Sequence, residues 1–137
     1  MTLQLSVAVR NALLDAIETA VGPSPILRIY DLTAAAPANC AAAITGTVLA
    51  EMTLPVDWMA AASNGTKVMA GSWSDLSGDA AGIADFFRIY ASDGVTCHNQ
   101  GTVTATGAGG DLTLNNTNIA VGQPVTITQY TLPAPNA

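Results

Sequence analysis

After residue 22 the hydrophobic pattern of this chain breaks into short runs, and this limits the fold more than anything else in the sequence. Each run is rich in β-branched or aromatic residues and is closed by Gly, Asn or Pro. The segments 26–30, 46–54, 86–90, 95–106, 112–114 and 125–132 read as strands. Further extended stretches begin at Trp58-Met59 and follow at 67–70 and 71–74. Asn64-Gly65 and Asp93-Gly94 are hairpin turn signals. Residues 33–45, 75–85, 107–110 and 115–116 read as loops, because Pro37 and Asn39 break the alanine run and Gly, Ser and Asp fill the others. Eight or so short strands separated by turns predict an antiparallel β-sandwich or a jelly-roll-like barrel.

The first 22 residues carry a different period. Leu5, Val9, Leu13 and Ile17 recur every four positions, Ala8, Ala12, Ala16 and Ala20 widen the stripe, and the polar residues fall elsewhere. This is the pattern of an amphipathic helix. Ser6 or Thr2 supplies an N-cap, and Gly22-Pro23 a stop. The stripe is expected to pack on the chain's own sheet, with a neighbouring subunit as the alternative. The organisation expected is one domain over 1–137: helix 1–22, sandwich 23–132 and tail 133–137. Arg-Ile-Tyr occurs at 28–30 and again at 88–90, and could mark two equivalent strands.

Composition removes several classes of function. Four Lys/Arg against ten Asp/Glu give a net charge of −6. So few scattered cations cannot supply the counterion release that drives nucleic-acid binding. Apolar content of 50% with only 10% charge argues against disorder. No apolar run is long enough for a membrane span. The opening Met1-Thr2-Leu3-Gln4 lacks the basic and apolar regions of a secretory signal.

Candidate chemistry is sparse. Cys40 and Cys97 could form one disulfide in an oxidising compartment, but with no export signal two partly buried free thiols are the favoured reading. Cys97-His98 are strand neighbours pointing to opposite faces, so the imidazole is badly placed to activate the thiol. His98 is the only histidine, which leaves a metal site short of ligands. Asp75, Asp79 and Asp85 share a Gly/Ser/Ala loop without the spacing of a calcium loop, and read as turn-forming residues. No phosphate cradle and no Gly-x-Ser-x-Gly elbow is present. The sequons at Asn64 and Asn115 are incidental without export. Trp58, Trp73 and Tyr130 could stack a sugar or anchor an interface, but more often such residues fill a core. No catalytic residue, cofactor or metal is expected, and the chain does not read as an enzyme. A surface with few long charged side chains loses little entropy when covered, which suits a subunit of a tight assembly.

The stretch Phe87-Arg88-Ile89-Tyr90-Ala91-Ser92-Asp93-Gly94-Val95-Thr96-Cys97-His98-Asn99-Gln100-Gly101-Thr102-Val103 resembles small virion proteins of tailed bacteriophages and prophages. The resemblance continues from Gly109-Gly110-Asp111-Leu112 to Val125-Thr126-Ile127, and includes the opening 5–18. Together these cover well over half of the chain. Within that group the chain is most similar to head decoration (cement) proteins. The resemblance implies a structural protein on the outer capsid surface, made in the bacterial cytoplasm. It would clamp the major capsid protein at capsomer junctions and itself associate as a dimer or trimer, with no nucleic-acid or membrane partner. The expected contact residues are Leu5, Val9, Leu13 and Ile17 on the helix, Trp58 and Trp73, and Val125 and Ile127 on a strand edge. Helix and tail would be the parts that reach a neighbour. The alternatives are a tail, baseplate or fibre-associated subunit, a carbohydrate- or receptor-binding module using Trp58 and Trp73, and, last, an acid-dyad hydrolase using Asp75 and Asp79.

Overall fold

The computed structural model describes residues 2–134. The three residues beyond Ala134, which end the expected tail, lie outside it. The first element is helix α1, Val7–Val21. Ser6 caps it, its Oγ accepting from the Val9 amide, and the Gly22 amide closes the C-terminus by donating to the Glu18 carbonyl. Both ends therefore satisfy backbone groups that a helix leaves orphaned.

Ten strands follow among the described residues: β1 Ile26–Leu32, β2 Gly46–Thr53, β3 Thr66–Val68, β4 Ser74–Asp75, β5 Gly82–Ile83, β6 Phe86–Tyr90, β7 Cys97–Ala105, β8 Leu112–Leu114, β9 Asn118–Ile119 and β10 Val125–Pro133. The main sheet has the order β2-β1-β6-β7-β8-β10-β3, with β4 also paired to β10, and β5 pairs with β9. The protein is mainly β with one N-terminal helix, consistent with a sandwich, as the turn spacing predicts. The sheet is mixed rather than purely antiparallel, because β7 and β8 run parallel. The chain doubles back through the glycine-rich loop 107–110 and lays Leu112 beside Val103. No periodicity signal distinguishes such a return from a hairpin. Two short strands, β5 and β9, arise within segments that lack strand-like sequence.

The sheet curls around a single apolar cluster. Leu27 and Ile29 of β1, Leu49 and Met52 of β2, Phe87 and Ile89 of β6, and Ile127 and Tyr130 of β10 all contribute to it. Strands from both halves of the sheet thus share one core. Segment 74–79 bridges the gap between them. Ser74 pairs with Thr126 of β10, while Asp75 Oδ2 accepts from the Glu51 amide of β2 and the Asp79 amide donates to the Leu49 carbonyl. This also covers part of the β2 edge, which would otherwise invite pairing with another chain.

The repeated Arg-Ile-Tyr triplets lie on adjacent strands, with Arg28 directly opposite Arg88. Two like charges at this position would repel, and the two side chains diverge. Arg28 pairs with Glu51 and stacks on the Tyr90 ring, 4.7 Å from its centroid. Arg88 turns beneath loop 33–45 and donates to the Asn39 and Ala42 carbonyls and to Gln100 Oε1. The Tyr30 and Tyr90 hydroxyls meet at 2.8 Å. Burial, and then this bond, push the Tyr30 phenol up. The triplet is thus a local cross-strand arrangement between neighbouring strands.

Candidate interaction surface

The helix docks with a face rotated away from the one its period suggests, so that of the expected stripe Ile17 packs on the core while Val9 and Leu13 do not. Leu14 and Val21 are buried and Ile17 is half-buried against the core, whereas Val9 and Leu13 are 45% and 51% exposed. The polar residues on the inward side explain this orientation. Arg10 Nε donates to the Ala134 carbonyl at 2.6 Å. Asn11 Oδ1 accepts from the Gly65 amide, and Asp15 Oδ1 from the Ala62 amide. Above all, Lys67 of β3, with its side chain 1% exposed, places Nζ 2.7 Å from both Asp15 Oδ1 and Glu18 Oε2.

An unpaired ammonium buried at that point would be strongly unfavourable. The helix therefore turns its carboxylates toward the sheet to satisfy it. Burial alone would lower the Lys67 pKa, but the hydrogen bonds to Asp15 and Glu18 outweigh it and the net shift is upward. The bond from Lys67, and then the Ala62 amide, hold the Asp15 carboxyl below its ordinary value. The hairpin turn that presents these groups is Asn64-Gly65, both with positive φ. The positive φ favours glycine at 65, and a Cβ there would also displace the Arg10 guanidinium.

What remains outward is the apolar side. Ala8, Val9, Ala12, Leu13, Ala16 and Ala20 are all exposed. At about 100° per residue they form one continuous stripe. It carries no charged side chain.

The other expected contact residues are elsewhere. Leu5 is partly buried just before the helix. Trp58 and Trp73 are 0% and 1% exposed, and their indole nitrogens donate to the Gly22 and Ala70 carbonyls. Their rings pack together at a centroid distance of 6.0 Å, and Trp73 packs on Tyr130 at 5.4 Å. They belong to the core and leave no ring face for a sugar or a partner. Val125 and Ile127 are likewise buried, and β10 lies inside the sheet between β8 and β3. The expectation of a strand-edge contact there is corrected: both side chains point into the core and the backbone is already paired.

The carboxylates have structural work. Asp75 also caps Ser77, Asp85 Oδ1 accepts from the Leu32 amide, and Asp31 Oδ2 accepts from the Ile83 amide. Asp93 accepts from the Thr96 and Val95 amides and the Thr96 hydroxyl, which hold its pKa at about 2. Among the described residues, no group of three His, Cys, Asp or Glu side chains is arranged to hold a metal. No helix among them is long and apolar enough to cross a membrane. A cleft of about 480 Å³ opens beside Cys40, His98, Asn99, Asp111 and Tyr130. Two of its polar groups are engaged within the chain: the Asn99 amide donates to the Tyr130 hydroxyl, and Asp111 accepts from the Thr102 amide and hydroxyl.

Sequence reasoning missed Lys67 and Arg88. Two of only four cations on strand-like segments, alternating with apolar neighbours, were the available signal. Comparison with protein-family models, with curated proteins and with solved structures returns no match for this chain.

Proposed function

We propose that this chain is a structural virion protein of a tailed bacteriophage, a capsid decoration protein that binds the outer head surface and stabilises capsomer junctions. The observation that carries the reading is the outward apolar stripe of α1. The chain's own fold covers the helix face that carries Leu14, Ile17 and Val21 with Asp15 and Glu18 beside them, and leaves Val9, Leu13 and the alanine row uncovered. Small side chains allow close approach of a partner, and few long charged side chains must be immobilised when the surface is covered. The curled sheet supplies a stiff body behind the helix. The contacts proposed are with the major capsid protein and with further copies of the chain. The function is mechanical, and no catalytic step is assigned.

The test is a copy count by mass spectrometry on heads and tails separated from a lysate of the phage that encodes the chain. Hundreds of copies in the head fraction support the proposal. Copies confined to tails would refute it in favour of a tail or baseplate subunit, and absence from particles would refute both. The contact itself is tested by Leu13→Glu, which should fold normally and lose head binding.

A further inference from the structure

Lys67 is the only lysine in the sequence, and the fold seals it between β3 and α1 with its side chain 1% exposed. Nζ lies 2.7 Å from Asp15 Oδ1 and 2.7 Å from Glu18 Oε2. The contact is held from several sides. Lys67 is paired with Leu132 in the register of β3 and β10. The Ala62 amide donates to the same Asp15 oxygen at 3.3 Å. One turn earlier in the helix, Asn11 Oδ1 accepts from the Gly65 amide at 2.9 Å, and Arg10 Nε donates to the Ala134 carbonyl at 2.6 Å. An amine nitrogen in such contact with a carboxyl oxygen lies about 3.5 Å from the carboxyl carbon, at the limit of a near-attack distance. A second carboxylate on the same nitrogen is the proton carrier that such an attack needs.

We infer that Lys67 and Asp15 condense into an intramolecular isopeptide bond, with Glu18 as the catalytic proton carrier, so that α1 becomes covalently fastened to β3. Nζ passes one proton to the Asp15 carboxyl. The neutral amine then attacks Cγ, and Glu18 takes a second proton from the nitrogen as the C–N bond forms. Glu18 returns that proton to the carboxyl oxygen that already carries the first, the C–O bond breaks, and this oxygen leaves as water. One C–N bond is formed and one C–O bond broken. The ammonium and carboxylate charges cancel, Glu18 ends as it began, and nothing is oxidised or reduced. Burial of Nζ lowers the cost of the neutral amine, while the Asp15 side chain, 54% exposed, gives the water a way out. Groups held in such contact react at effective concentrations of roughly 10⁵ M or more, far above the concentration of the water that would reverse the step. The resting pair is the charged one, so the neutral form is sparse and the bond matures slowly. The inference does not depend on the virion reading, since a fastened helix keeps its outward stripe in place whatever partner covers it.

The experiment holds the full folded chain for a week at neutral pH, then measures its intact mass and maps its tryptic peptides. The expected product is lighter by one water, is not cut after Lys67, and yields peptide 11–28 joined to peptide 29–88. Asp15→Asn should form the same link with loss of ammonia. Glu18→Gln, which leaves the lysine and the aspartate in place, should slow the link by about a hundredfold or more. Lys67→Met and the chain unfolded in urea should form none. Full mass with cleavage after Lys67 in the folded wild type would overturn the inference and leave a plain ion pair, even where a variant fails to fold. Loss of water without the joined peptide would also overturn it, because that marks dehydration of an aspartate onto its own backbone. A link that forms as fast in Glu18→Gln would overturn the role of Glu18.

Discussion

Leu13 and Leu14 are neighbours of identical chemistry, and the structure assigns them opposite roles. Leu14 is 1% exposed beneath the helix, and Leu13 is 51% exposed above it. Truncating Leu14 to Ala removes buried methylenes and leaves a cavity at a site held by the surrounding sheet, which costs about 3 kcal/mol. Leu13→Ala removes atoms that already meet water and preserves a good helix former, so its cost should stay within about 0.5 kcal/mol. With a urea m value of about 2 kcal/mol/M, the first variant moves the unfolding midpoint down by about 1.5 M and the second scarcely at all. Tryptophan fluorescence is a suitable probe, because the Trp58 indole donates to the Gly22 carbonyl at the helix end. Equal losses for the two variants, or a larger loss for Leu13→Ala, would refute the orientation of the helix and with it the outward apolar stripe.

The Lys67 anchor predicts an order of effects. Lys67→Met keeps the buried stem and leaves two carboxylates, Asp15 and Glu18, that retain access to solvent. The double variant Asp15→Asn with Glu18→Gln strands a buried ammonium, so it should have the lower urea midpoint. The reverse order would show that the ion pairs do not hold the helix. At Asp93 the folded pKa lies below the unfolded value, so its contribution is present above about pH 4 and is lost as pH falls through about 2. The stability difference between wild type and Asp93→Ala should therefore shrink between pH 4 and 2 in thermal melts, and a difference as large at pH 2 as at pH 5 would contradict this. Cys97 should be alkylated by iodoacetamide about tenfold faster per pH unit between pH 8 and 11, since its thiolate fraction rises that way below a pKa of about 12. The groups set around it are the Cys40 thiol, the Arg88 guanidinium and the Asn99 carbonyl, and a rate that levels off near pH 9 would mean that they do not hold it protonated.

Much of the fold could be read from local chemistry. Ser6 and Gly22 bound the helix because each solves a local backbone problem. Asn64-Gly65 makes its hairpin because few other pairs accept two positive φ values in succession. The strands at 26, 46, 86, 112 and 125 appear where β-branched and aromatic runs end in turn residues. These features depend on interactions among near neighbours, which a sequence states directly.

The candidate interaction surface was legible only in part. The helix contains two usable stripes, the expected one through Leu5, Val9, Leu13 and Ile17 and a second through Leu14 and Val21 that shares Ile17 at its border, and periodicity alone does not rank them. The choice belongs to Lys67, more than 45 positions away, whose buried charge draws Asp15 and Glu18 inward. The same holds for Trp58, Trp73, Val125 and Ile127, whose residue types suit a core or an interface equally until the sheet curls and encloses them. It also holds for the docking of loop 33–45, which depends on Arg88 holding the distant Asn39 and Ala42 carbonyls over β6. Sequence determined the elements, their caps and their turns, because those are settled within a few residues. Tertiary structure decided which faces are hidden and which distant groups meet, because burying a charge or docking a loop is a property of the whole packed chain.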